Sequence, residues 1–108
     1  MWNITYYNRK VFTEIMALPT TLRAGYVFLS GKMKEKGPNL GMPYTRAMGN
    51  GLFEIRIKGQ EGIARVFYCT QTNHEIVMLH SFIKKTEATP KKELDIAKKR
   101  LKEVIKNG

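Results

Sequence analysis

Residues 52–58 read Leu52-Phe53-Glu54-Ile55-Arg56-Ile57-Lys58. Apolar and charged side chains alternate with a period of two, the pattern of a strand and not of a helix. Alternation sends Phe53, Ile55 and Ile57 to a core side and places Glu54, Arg56 and Lys58 together on the other. Downstream, residues 59–62 form a turn, 63–70 a strand, 71–74 another turn and 75–84 a further strand. Connections this short favour an antiparallel meander.

Upstream, residues 2–7 are rich in aromatic and β-branched side chains and read as a first strand. Asn8 offers an N-cap, and Val11, Ile15 and Leu18 recur at helical spacing. Pro19 interrupts that pattern and suits the first position of a second helix. There Leu22, Tyr26, Leu29 and Met33 form a stripe that ends in a Lys-rich turn and Gly37-Pro38, since Pro cannot continue a helix. Residues 37–51, with Gly37, Gly41, Gly49, Gly51, Pro38 and Pro43, form the longest irregular stretch. They lead into a strand and contain no phosphate-loop motif. Near the end, Thr89 is an expected N-cap and Pro90 an N1 residue. Leu94, Ala97, Leu101, Val104 and Ile105 then line one face of a last helix whose lysines read first as solvated surface. The expected order is β-α-α-β-β-β-α, an α+β domain spanning residues 1–108 with helices packed on a sheet.

The chain has 108 residues, of which 43% are hydrophobic, enough for one modest core. Nineteen Lys and Arg against nine Asp and Glu give a formal charge of +10. Such an excess points to a polyanion or an acidic partner. No segment approaches the roughly 20 apolar residues of a membrane span, so no membrane partner is expected. The start, Met-Trp-Asn-Ile-Thr-Tyr-Tyr, lacks the basic and apolar regions of a secretory signal. Cys69 is the single cysteine, which leaves no intramolecular disulfide and no cysteine-rich zinc site. These features together predict a cytoplasmic protein.

Chemistry concentrates on the meander. If its strands are neighbours, Arg56 and Lys58 meet Arg65 from the adjacent strand and Lys84 and Lys85 from the end of the last. Convergent cations make a phosphate site, because phosphate oxygens accept charge-assisted hydrogen bonds and Arg can supply two at once. The plainer reading is a strand face charged for solubility, but Glu54 and Glu61 are the only local counterions. Glu54 suits either a catalytic base or an ion-pair partner that holds Arg56. His80 lies in the most apolar strand and reads first as a structural histidine, although its chemistry also suits a general acid or base. Neither histidine has carboxylate or cysteine neighbours at ligand spacing, so neither a metal nor another cofactor is expected. Tyr68 and Tyr44 are candidates for stacking on single-stranded bases.

Four segments carry a resemblance. They are Gly51-Leu52-Phe53-Glu54-Ile55-Arg56, Ala64-Arg65-Val66-Phe67-Tyr68, Leu79-His80-Ser81-Phe82-Ile83-Lys84-Lys85-Thr86, and Thr89-Pro90 leading into a basic helix. With Leu18-Pro19 and the helical hairpin that follows, their order and spacing resemble the phage-associated HigB-like branch of the RelE/ParE toxin superfamily. The resemblance implies a RelE-like (microbial RNase-like) fold with a curved sheet and ribosome-dependent cleavage of messenger RNA. It also implies neutralisation by a HigA-type helix-turn-helix antitoxin. Carried over by position, Arg56, Arg65, Lys84 and Lys85 match the family's basic site residues, with Glu54 and His80 as further catalytic candidates. Arg46, Lys58 and Tyr68 are the expected RNA contacts. A terminal tyrosine used by some relatives has no counterpart after Lys85. Two rival readings are a ParE-like poison of DNA gyrase and a non-catalytic basic module that binds nucleic acid.

Overall fold

The computed structural model describes residues 1–85 and 88–107, and the stretch beginning at Leu52 is a strand inside a five-stranded sheet. The elements are β1 (Asn3–Tyr6), α1 (Arg9–Met16), α2 (Thr20–Lys36), β2 (Thr45–Gly49), β3 (Leu52–Gly59), β4 (Gly62–Gln71), β5 (Glu75–Lys84) and α3 (Lys91–Asn107). The sheet order is β1-β5-β4-β3-β2, antiparallel except for β1 beside β5. This is the expected α+β class, with one strand more than the sequence suggested. Thr86 of the third quoted segment lies outside the described residues.

The added strand is β2, which falls in the stretch read as irregular. It pairs with β3 through Thr45 opposite Ile55 and Arg46 opposite Glu54. Only Thr45 of its five residues is buried, so an edge strand of this kind shows no apolar alternation. Its turn was visible all the same. Asn50-Gly51 is a strong hairpin dipeptide, and Gly49, Asn50 and Gly51 all adopt positive φ here.

α1 starts at the expected residue, and α2 and α3 start one residue later than expected, so Pro19 and Pro90 precede their helices and Thr89 is not adjacent to α3. The Val11 N–H donates to Asn8 Oδ1 at 2.9 Å, as an N-cap should. Pro19 is itself the cap residue of α2, its carbonyl accepting from the Arg23 N–H at 2.8 Å. The Pro90 carbonyl likewise accepts from Glu93 and Leu94 at the start of α3. Proline has no side-chain acceptor, and at α2 the turn between β3 and β4 supplies one. The Thr21 N–H donates to both carboxylate oxygens of Glu61, at 3.2 and 3.1 Å. Thr21 Oγ1 accepts from the Gln60 N–H at 2.8 Å. Glu61 is therefore committed to the helix start and is not a counterion of the strand arginines.

Both faces of the sheet are covered. On one, Val11, Ile15, Leu22, Tyr26 and Met33 of α1 and α2 pack on Ile55, Ile57, Val66, Tyr68, Ile76 and Met78. On the other, Ala97 and Leu101 of α3 pack on Leu52, Phe67, Cys69, Val77, Leu79 and Phe82. Each large apolar side chain fully buried in this way contributes roughly 1.5–3 kcal/mol. α2 lies close on β3 because residue 25 is glycine; a Cβ there would fall 2.8 Å from Ile57 Cγ2. α3 leaves the far ends of β3 and β5 uncovered, and Lys58 is exposed there.

Candidate functional site

Strand register arranges the side chains of the α3 face in rows. Arg46, Glu54, Phe67 and His80 form one row, Arg56, Arg65 and Phe82 the next, and Lys58, Ile63 and Lys84 the third. His80 and Phe82 reach this face through a β-bulge. Phe67 pairs with His80 while Tyr68 pairs with Met78, so Leu79 is an extra residue in β5. Without it, alternation from Val77 would bring Ser81 and Ile83 here instead.

Glu54 anchors the basic cluster. It was expected on an open face but is 0% exposed, buried beneath the arginines around it. Its Oε2 accepts from Arg56 Nη1 at 2.8 Å and lies 3.3 Å from Arg46 Nε. Its Oε1 is 3.7 Å from Arg65 Nε, beyond hydrogen-bond reach, and neither atom has another partner. Arg65 is 4% exposed, Arg56 25% and Arg46 47%, a gradient running outward from the anchor. Burial pushes the Arg65 guanidinium below its ordinary value, and the neighbouring Arg56 charge adds to this. Glu54 opposes the shift and Arg46 reinforces it. Arg65 nonetheless stays cationic at neutral pH. Three cations on one carboxylate leave a local surplus of two positive charges that an incoming phosphate can neutralise through charge-assisted hydrogen bonds.

His80 is tied to α3. Its Nε2 lies 2.7 Å from Glu93 Oε1, and its Nδ1 is buried without a partner. With the carboxylate accepting, Nε2 is the donor of that hydrogen bond. Arg100 acts on the adjacent bulge residue. Its Nη1 donates to the Leu79 carbonyl at 2.8 Å, and its guanidinium lies 4.9 Å from the centre of the Tyr7 ring. Sequence reasoning missed both roles. An acidic residue in the first turn of a basic helix was the available hint for Glu93, and Arg100 stands in the same helix, whose lysines read as solvated surface.

The remaining expected residues divide. Lys84 shares the face and is half-buried, while Lys85 is exposed just beyond β5. Tyr68 is a correction. It sits on the opposite face, fully buried, stacked on Phe53 at 5.5 Å between ring centres, with its hydroxyl donating to the Pro38 carbonyl. Burial pushes that hydroxyl up to about 12. A ring enclosed in this way offers no surface to an RNA base. Among the described residues no group of three or more His, Cys, Asp and Glu is placed to hold a metal ion, and no helix is long and apolar enough to cross a membrane.

The sequence profile described as phage derived protein Gp49-like matches residues 13–102. The chain belongs to this Gp49-like family. The match runs from α1 into α3 and takes in every row of the basic face. Gp49-like proteins are related to RelE-type toxins, which agrees with the resemblance at the coarser level of the superfamily. No curated protein matches this Gp49-like chain.

Proposed function

We propose that this Gp49-like protein is the toxin of a type II toxin–antitoxin pair, a HigB-like endoribonuclease that cuts messenger RNA on the ribosome. It works in the cytoplasm without a metal and is neutralised by a HigA-type helix-turn-helix antitoxin. The observation that carries this reading is the arginine cluster on Glu54. Arg46, Arg56 and Arg65 surround one buried carboxylate at 3.3, 2.8 and 3.7 Å, with Lys58 and Lys84 one row away. Kinship with RelE-type toxins supports the toxin assignment.

The chemistry follows from the charges. The 2′-hydroxyl attacks the adjacent phosphorus, the new O–P bond forms, and the bond to the 5′ oxygen breaks. Negative charge gathers on the non-bridging oxygens, where guanidiniums held in advance stabilise it without reorganising. Glu54 acts as the anchor that fixes Arg56 and Arg65, being enclosed and already shared among three cations. The hydroxyl proton passes to solvent water, since Glu54 is shared among three cations and His80 is held by Glu93 with its Nδ1 enclosed. Lys84 or Lys85 returns a proton to the leaving oxygen.

Mapping the 5′ ends of a defined messenger RNA, with and without programmed ribosomes, tests the reading. Wild type is compared with Arg56→Ala, at a partly exposed position, and with Arg65→Ala. New ends that need ribosomes, and a fall of about 10²–10³-fold in rate for Arg56→Ala, are expected from the loss of one charge stabiliser. Absence of cleavage by folded wild-type protein refutes the proposal. DNA breaks trapped with gyrase would then assign the ParE-like activity.

A further inference from the structure

Where the β2 ladder ends at Ile55, the edge of β3 opens into a cleft between α2 and the residues just before β2. Its volume is about 390 Å³, at the small end of ligand pockets, which run roughly 300–1,000 Å³. One side is apolar, formed by Phe28, Pro43 and Tyr44, and the other is basic, formed by Arg56, Lys58 and Arg65. Phe28 is 62% exposed and Tyr44 48%, although both are large and apolar. Lys32 holds its Nζ 5.5 Å from the centre of the Phe28 ring, so even the apolar wall carries a cation. Arg65, more than nine-tenths buried, also lines this cleft, its Nε lying 3.7 Å from Glu54 Oε1 and its Nη1 donating to the Ala64 carbonyl at 3.2 Å.

Flat apolar walls joined to convergent guanidiniums suit a ring that carries an anion. We infer that the cleft is a base-binding subsite. It takes the nucleobase of a single-stranded RNA nucleotide that flanks the phosphate on Arg56 and Arg65. Tyr44 and Phe28 provide the stacking surface, and Lys58 meets the next phosphate. A duplex is excluded by size, since its bases are stacked inside and a cleft this small admits one extruded ring. The inference rests on the reading that the basic face holds RNA phosphates, and it adds which part of the strand is gripped beside them.

The test is binding, and it is independent of cleavage. A short single-stranded RNA with 2′-methoxy groups cannot be cut, and the same oligonucleotide without bases keeps its phosphates. Fluorescence anisotropy compares both on wild type, Tyr44→Ala, Phe28→Ala, Tyr44→Phe and Arg56→Ala. Tyr44→Ala and Phe28→Ala are expected to weaken the base-bearing RNA by about 5–100-fold and to leave the abasic RNA unchanged. Tyr44→Phe keeps wild-type affinity, and Arg56→Ala weakens both RNAs. Equal binding by the alanine variants overturns the inference, as does an equal loss on both RNAs or no binding by wild type. Ribosome-dependent cleavage with Tyr44 and Phe28 neutral in binding removes the subsite alone. Base-selective binding without cleavage removes the endoribonuclease reading and keeps the subsite.

Discussion

Glu54→Gln keeps the shape of the anchor and removes its charge, leaving Arg65 buried beside Arg56 with no counterion. Breaking a wholly buried ion pair from one side costs about 3–5 kcal/mol. Here Arg56 and Arg46 are partly solvated and the Arg65 contact is long at 3.7 Å, which lowers the expectation to about 2–4 kcal/mol. Against a total stability of about 5–15 kcal/mol for a chain of this length, that is a large share. With a urea slope of about 1–2 kcal/mol per molar, the unfolding midpoint should fall by about 1–4 M. Salt gives the loss a signature. Repulsion among Arg46, Arg56 and Arg65 is partly screened at high ionic strength, so the deficit should shrink as sodium chloride rises. A packing defect would not respond in that way. Adding Arg65→Met to Glu54→Gln should recover part of the loss, because the stranded charge is then gone. A midpoint within about 0.2 M of wild type would refute the view that Glu54 organises the cluster.

Three further outcomes are expected. Gly25→Ala gains about 1 kcal/mol of helix propensity but drives a methyl to 2.8 Å from Ile57 Cγ2. Overpacking of this kind costs about 1–3 kcal/mol, so the urea midpoint should fall, and a rise would show that α2 has room to move. Glu61→Gln should lower the melting temperature by weakening the cap on α2. The Thr21 hydroxyl, and then its N–H, hold the Glu61 carboxyl below its usual value of 4.5. The contribution is therefore complete above about pH 4.5 and lost as pH falls through the folded value, so thermal melts of the two proteins should converge in acid. Burial, reinforced by Glu75, pushes the Cys69 thiol up to about 11. Iodoacetamide at pH 8 should leave the folded protein unlabelled and modify it in urea, and rapid labelling without denaturant would contradict the buried placement of β4.

The sequence disclosed the frame of the fold more fully than the make-up of the site. The bounds of β5, the Asn8 cap and the stripe of α2 rest on local patterns, and local patterns are what a sequence displays. Tyr68 shows where that fails. From Val66 to Cys69 every residue of β4 is buried, since the strand is central and covered on both faces, so alternation gives no outside. Glu54 was misplaced for a different reason. An alternating strand says which side it faces but not that arginines from β2, β3 and β4 close over it, which depends on register between segments up to 19 residues apart (Arg46 and Arg65).

The position of His80 depends on the same non-local information, and α3 fixes it. One extra residue, Leu79, turns the last part of β5 over, and a bulge leaves that residue outside the ladder. Arg100 takes up its carbonyl, and Glu93 holds the imidazole of the next residue. Glu93 and Arg100 are seven positions apart and so lie on one side of the helix. α3 therefore acts on the sheet as a clamp over the bulge, as well as covering it with Ala97 and Leu101. On the other side of the sheet α2 defines the cleft through Gly25 and Phe28. The basic face is thus bounded by two helices that are far apart in the chain. A change that frees α3 should release His80 while leaving the arginines on their anchor, because Glu54 draws its partners from strands alone. Arg56 and Arg65 are separable by mutation from the His80–Glu93 pair for that reason, even though His80 stands in the neighbouring row of the same sheet.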